Sequence, residues 1–478
     1  EPAGSGIAGQ VVMLIKAPGQ PAQVINGATR SPRRLPAEVR PEQLKLGRSA
    51  AAVPSAMRVL DLARRRFGSG RVEWPALVAP AERIAREGFV VGPFRARAFH
   101  AYREVLAQDP ATAAVFLRPD GRPWQAGEVF RQPLLADTLA RIAQGGAQDF
   151  YAGELAREIV ADMAAHGGWI TAEDLARFPE PPVVPALAAD YRGARVETLP
   201  PPFGGWVMLQ ALKVLEQGPA DPLATPGPPR DLRMLDALRV AHGQRRSSPL
   251  AGRPDALEQA RSRVTGEAAA GLLRPDGGET THFSVVDGDG LVVSVTQSID
   301  SYFGAGVMHP QLGFLYNNYM QGFQVDDPDG DWALAPDTAP KSSMSATVVS
   351  VNDGTVLALG SPGSARIISA VAQVISHWLD VGQGIEQAVA AYRVHVVPPE
   401  RAYIEQPDVG PELLAELARR GYTLVRPDFG VAEGSLDPYF GGVHAVALEH
   451  GAWVGSADPR RDGRVGYVTA GRAAGSGD

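Results

Sequence analysis

The chain has 478 residues, 45% of them hydrophobic, enough to fill a sizeable core, with a formal net charge of −7 and a pI near 5.8. That acidic balance argues against nucleic acid or an anionic membrane as a main partner, and no apolar run reaches bilayer-spanning length. The absence of cysteine excludes disulfides, thiolate metal sites and a cysteine nucleophile, and does not choose a compartment.

In chain order, the first expected element is a strand over 10–16. A helix follows over 54–67, with Pro54 near its start and Met57, Val59, Leu60, Leu62, Ala63 and Phe67 marking its apolar side. Helical patterns recur at 79–87, 95–107, 133–144 and 152–166, and Thr171 with Asp174 forms a capping box that opens another. A strand over 194–199 runs into Pro200-Pro201-Pro202, and a long helix is expected over 205–217. From Gly243 to Gly278 the chain turns to Arg, Ser, Pro, Gly and Ala, the composition of a loop or disordered linker. Two alternating runs, 280–287 and 291–299, meet through Gly288-Asp289-Gly290, a strong hairpin signal. A three-residue loop sets Thr280 opposite Ser298 and a two-residue loop sets it opposite Gln297; the pattern leaves both open. Strands are expected at 312–317, 345–350 and 355–359, helices at 366–379, 385–392 and 411–420, and a closing strand pair at 442–448 and 452–456.

Chemistry concentrates where the linker meets the hairpin. If the Glu279–Thr280 bond is cut, Thr280 becomes an N-terminal residue whose hydroxyl lies beside its own α-amine, a base of pKa roughly 8. Such a threonine suits acyl transfer, attack on an amide or ester carbonyl. By itself Thr280-Thr281 reads more simply as two ordinary strand residues. Gly360-Ser361-Pro362-Gly363-Ser364 leads into a helix, so free N–H groups and a positive helix end converge on one spot; a phosphate loop would need a following Gly-Lys-Ser/Thr, which is missing. The nine histidines lack His-Glu-x-x-His spacing and no carboxylates have calcium-loop spacing, so neither a metal nor a cofactor is expected. His282 reads as a packed structural histidine.

Taken together, Thr280-Thr281-His282, Ser294-Val295-Thr296-Gln297-Ser298, Phe303-Gly304-Ala305-Gly306, Asn317-Asn318, Ser342-Ser343-Met344-Ser345, Gly360 to Arg366, Gly441-Gly442-Val443-His444 and Ala457 to Gly463 resemble the γ-glutamyltranspeptidase family of N-terminal-nucleophile hydrolases. Ala85 to Phe89, Gly167 to Leu175, and Tyr191-Arg192-Gly193 through Gly205 resemble its large-subunit landmarks. The resemblance implies an α/β (α+β) fold, a four-layer αββα sandwich, with a large-subunit-like region 1–279 carrying a mobile linker at 243–279 and a catalytic region 280–478. It implies cleavage between Glu279 and Thr280, two fragments held as a heterodimer, and an acyl-Thr280 intermediate. Ser298 would lie beside the nucleophile, which favours the three-residue loop. Gly363 and Ser364 would hold the oxyanion, and Ser342 and Ser343 would receive a substrate carboxylate, with Asp300 and Tyr319 as further substrate contacts. In the family an upstream helical segment and a glycine run precede the first strand; this chain is expected to start later, with Ala8 and Gln10 interrupting the run. The implied substrate is a small-molecule γ-glutamyl compound such as glutathione or a related amide. A non-glutamyl acylase and a non-cleaving binding module are the alternatives. The implied location is periplasmic or secreted, with the cytoplasm also open. Four positions depart from the family's glutamyl-binding set: Ala28 stands where it has an arginine, and Asp300, Tyr319 and Gly322 where it has the partners of the α-amino group. Arg30, Arg33 and Arg34 are the expected replacements for the lost clamp.

Overall fold

A computed structural model of the chain describes residues 1–247, 250, 255–264, 279–351, 354, 356–427, 431 and 434–468. Two antiparallel sheets form its centre. The first has five strands in the order Val183–Pro185, Gln23–Ile25, Gln10–Lys16, Val292–Asp300, Glu279–Val286. The second has six, in the order Ala452–Ala457, His444–Glu449, Val356–Gly360, Thr347–Ser350, Ala194–Thr198, Leu187–Tyr191.

Period-two alternation explains the layering, because successive side chains leave a strand on opposite faces. In Gln10–Lys16, Val12 and Leu14 pack with Val348 and Ala358 of the second sheet and with Ala346 just before it. Val11, Met13 and Ile15 instead meet Ala56, Val59 and Leu62 of the helix Ala56–Phe67. The second sheet does the same: Val349, Leu357 and Leu359 face the helices Gly205–Glu216, Pro228–Ser247 and Arg366–Leu379. The outcome is helix, sheet, sheet, helix, the expected four-layer sandwich. Each fully buried Val or Leu contributes on the order of 1.5–3 kcal/mol. Both sheets take strands from either side of residue 279, so the regions 1–279 and 280–478 share one core.

Several elements fall where the pattern places them. The strand Gln10–Lys16 and the helix Arg366–Leu379 match in full, and Thr171 and Asp174 close a capping box on the helix Ala172–Ala176. Others differ. Residues 312–317 form no strand: Gly313 has φ +71°, a β-carbon there would meet the Leu135 nitrogen at 2.6 Å, and one isolated bridge joins Met308 to Leu315. The linker expectation fails over its described part. The helix Pro228–Ser247 runs through Gly243, and a second helix occupies Ala256–Arg263. Leu232, Leu235, Leu238 and Ala241 are buried at helical spacing, and this packing outweighs the polar composition that follows. Residues 265–278 of the expected linker lie outside the described residues. A three-stranded sheet of Val394–Val397, Arg401–Ile404 and Thr423–Val425 lacks an alternating signal and was not expected. Among the described residues, no helix is long and apolar enough to cross a membrane.

Candidate active site

The hairpin register is the three-residue one. Asp287 N–H donates to the Leu291 carbonyl at 3.1 Å, and Asp287 Oδ1 accepts from the N–H groups of Asp289 and Leu291, closing the turn. Pairing runs Val286 with Val292 back to Thr281 with Gln297, then slips at a bulge between Glu279 and Thr281. A bulge re-aims the side chain it carries. Thr280 Oγ1 consequently reaches Ser298 Oγ at 3.4 Å, with Thr280 7% exposed.

A cavity of about 540 Å³ opens beside this pair. Thr280, Asp300, Tyr319, Ser342, Ser343 and Ser364 all line it, so one volume collects residues spread over some eighty positions of sequence. Hydrogen bonds connect its wall. Asp300 N–H donates to Ser298 Oγ at 2.7 Å, and the Tyr319 hydroxyl lies within reach of Ser298 and Ser342. Gln10 Nε2 donates to the Tyr319 hydroxyl at 3.2 Å and to Ser342 Oγ at 3.5 Å. Burial, then the Asp300 carboxylate, pushes the Tyr319 phenol well above its ordinary range, so it stays protonated as a donor. Asn317 secures the turn before Tyr319 by donating to the carbonyls of Ala8 and Ala52, both at 2.8 Å.

The loop before Arg366 has the geometry of an anion cradle. Gly363 (φ +120°) and Ser364 (φ +56°) hold the left-handed conformations that turn successive N–H groups outward. Their carbonyls take the first helical bonds, from Arg366 N at 3.1 Å and Ile367 N at 3.0 Å. Among the described residues, neither the Gly363 nor the Ser364 N–H has an acceptor. Ser364 lies on the cavity wall.

Behind the cradle, the segment 437–443 packs so closely that a β-carbon on Gly363 would lie 3.2 Å from Gly441 Cα. A fully buried ionic cluster holds that segment. Asp458 Oδ2 accepts from Val443 N–H at 2.7 Å and pairs with Arg393, while Arg460 bridges Asp458 and Glu405, and Arg393 donates to the Phe440 carbonyl at 3.1 Å. Burial raises the Asp458 carboxyl, but Arg393 and Arg460 outweigh it and hold it at about 2, below its ordinary 3.8. Asp458→Asn should therefore lower stability near neutral pH by about 3–5 kcal/mol, because the buried Arg393 guanidinium loses its paired carboxylate and Arg460 is left with Glu405. A depressed folded pKa contributes stability that is complete above the unfolded value of about 4 and is lost as pH falls toward 2. Urea unfolding of both proteins near neutral pH and near pH 3 should show the gap narrowing on acidification; an unchanged gap would contradict this assignment.

The candidates do not all face the cavity in the way expected. Glu279 lies in the strand, one residue before Thr280. His282 is buried, with ring nitrogens 2.9 Å from Thr296 Oγ1 and 3.1 Å from Ser284 Oγ, and burial followed by His444 keeps it neutral; it packs rather than reacts. Arg30 and Arg33 are corrected: they pair with Asp337 at 2.5 and 3.0 Å, and Arg34 with Glu173 at 3.6 Å. Among the described residues, the cations that line the cavity are Arg245, Lys341 and Arg366. Arg245 falls in the stretch whose composition predicts a linker, although the buried positions 235, 238 and 241 on the same helix point to it.

Two facing antiparallel sheets between helical layers, with a threonine at the head of an inner-sheet strand, define an N-terminal-nucleophile hydrolase. Residues 1–468 match the family model described as Gamma-glutamyltranspeptidase. A glutathione hydrolase proenzyme of Pseudomonas sp. (strain A14) is 31% identical over 450 residues, 87% of this chain and 77% of that protein. The acylase ACY 1 proenzyme of Pseudomonas sp. (strain SE83) is 32% identical over 455 residues, 91% of this chain and 78% of that protein. The crystal structure of a cephalosporin acylase from Bacillus halodurans superposes with a TM-score of 0.77 at 27% identity, covering 98% of this chain and 89% of that one. The chain belongs to the γ-glutamyltranspeptidase family, whose members include both glutathione hydrolases and acylases.

Proposed function

We propose that the chain is cut between Glu279 and Thr280 and then hydrolyses or transfers the acyl group of a small amide through an ester on Thr280. The carrying observation is the Thr280 hydroxyl, 3.4 Å from Ser298, on the wall of the cavity that also receives the Ser364 end of the anion cradle. Thr280 Oγ attacks the amide carbonyl and its proton passes to the freed α-amine of the same residue. The Gly363 and Ser364 N–H groups receive the oxyanion, a contact that contributes roughly 3–4 kcal/mol per donor. Collapse expels the amine, which takes up the proton, and leaves acyl-Thr280. Water or a second amine, deprotonated by the α-amine, then attacks the ester and frees Thr280.

The interleaved strands support a lasting heterodimer: after cleavage each sheet still contains strands of both fragments. The relatives' names as proenzymes agree with maturation by cleavage.

The test is a panel of anilides, γ-glutamyl and non-glutamyl, with the acyl adduct on Thr280 measured by peptide mass. An adduct on Thr280 is expected with good substrates. With Ala28, Tyr319 and Gly322 in place of the family's partners, the carboxylate that the described residues bring to the cavity wall for an ammonium is Asp300, whose Oδ2 already accepts from Gln321 at 2.6 Å. Substrates bearing the α-amine should lose about 2–5 kcal/mol relative to a fully matched site. A clear preference for γ-glutamyl anilides would contradict this.

A further inference from the structure

A second, smaller cavity of about 150 Å³ lies against Thr280 and is not used by the steps above. Thr280 and Tyr302 line both cavities, so they form part of the wall between them. Thr281, which those steps leave without a task, lines the smaller one. Its Oγ1 is buried and, among the described residues, has no hydrogen-bond partner. Folded chains rarely leave a buried hydroxyl in that state, which points to a partner that arises only when the chain is cut. A β-carbon on Gly4 would lie 3.4 Å from Thr281 Oγ1 and 3.4 Å from the Thr280 carbonyl oxygen, so both oxygens border the space that the glycine leaves open. The N–H and C=O of a strand residue leave by the same edge, and the nitrogen released by cleavage therefore emerges on this side with its carbonyl. Cleavage turns that amide nitrogen into an amine, which gains hydrogens to donate and a lone pair.

We propose that the freed α-amine of Thr280 donates to Thr281 Oγ1 at the edge of the smaller cavity, so that Thr281 positions the general base. One N–H is then fixed on Thr281, and the lone pair is left to take the Thr280 Oγ proton. The inference rests on the reading of Thr280 as nucleophile. The charged and titratable groups facing the smaller cavity are Glu1, Arg95, Arg461 and Asp462, with His282 and His444, which burial keeps neutral near pH 7. Glu1 pairs with Arg95, which lies 4.0 Å from Asp462. Across Thr280, the larger cavity adds Asp300, Arg245, Lys341 and Arg366. All of these are common to the wild type and to a Thr281 variant, so a change in the amine's titration between the two reports the hydroxyl.

The experiment compares the wild type with Thr281→Val and Thr281→Ser, using a good anilide. Valine keeps the β-branched shape that suits a strand, and it removes a hydroxyl that has no partner in the uncut chain, so the fold should persist. Cleavage precedes the amine, so Thr281→Val should be processed as the wild type is. Its kcat should then fall about 10-fold with KM within about threefold, the scale of one lost hydrogen bond. A hydroxyl that accepts from the amine favours the ammonium form; without it the amine's pKa falls, and the acid limb of the kcat/KM profile should move to lower pH by about one unit. Thr281→Ser should restore both rate and limb. A fall in rate with an unmoved limb marks a packing role and overturns the proposal. So does a Thr281→Val protein with wild-type rate and limb, one that is not cut, or a serine variant that rescues neither. The acyl adduct on Thr280 of the wild type reports separately: its absence removes the nucleophile and this inference with it, whereas an adduct in all three proteins with an unmoved limb removes only the role of Thr281.

Discussion

Thr280→Ala should yield a single uncut chain of 50.6 kDa without hydrolase activity. The alanine removes the one oxygen that both the processing step and the acyl-transfer step require. Loss of a nucleophile costs about 10⁴-fold or more in kcat, leaving only what binding and the oxyanion donors supply. The fold should persist, because Thr280 occupies a bulge and its neighbours Thr281 to Val286 keep their ladder to Val292–Gln297. Thr280→Ser retains a hydroxyl beside an α-amine and should still be processed. Electrophoresis and steady-state rates together check both variants, and a Thr280→Ala protein that is cut or active would remove Thr280 from the mechanism.

The second large effect is expected at the anion cradle. Gly363→Pro removes an N–H donor and imposes a φ near −65° where the backbone has +120°. kcat should fall about 10²- to 10³-fold, the usual cost of one oxyanion donor. Ser364→Ala keeps the backbone amide and should retain most activity, whereas Ser364→Gly should in addition relieve a left-handed serine at φ +56°. Single-turnover rates with a good anilide separate kcat from binding. Equal damage from Gly363→Pro and Ser364→Ala would assign Ser364 a side-chain role and remove the backbone assignment.

Much of this arrangement is visible in the residues themselves, for identifiable physical reasons. The strand Gln10–Lys16 is a short apolar run buried on both faces and the helix Arg366–Leu379 a long, mostly apolar one, so length and residue type suffice. Thr280, Ser298, Ser342, Ser343 and Ser364 carry little weight as single residues, but their order and spacing match a family, and the fold brings Thr280, Ser342, Ser343 and Ser364 onto one cavity wall with Ser298 behind Thr280. What escaped depends on long-range packing. The helix Pro228–Ser247 is polar in composition at its end, and only its buried face in the second sheet's helical layer fixes it, so Arg245 was invisible as a site residue. The Asp458 motif was legible as a likeness without a role, since its partners Arg393 and Glu405 lie more than fifty positions away. The bulge at Thr280 likewise cannot be read from alternation, which predicts only a regular ladder.

The central claim, that cleavage before Thr280 creates the nucleophile, is tested most directly by the intact mass of the purified wild-type protein combined with N-terminal sequencing of the smaller fragment. Two fragments spanning residues up to 279 and from 280 onward are predicted, the smaller beginning Thr280-Thr281-His282-Phe283. An active protein that remains one chain, or a fragment that begins at any other residue, would contradict it.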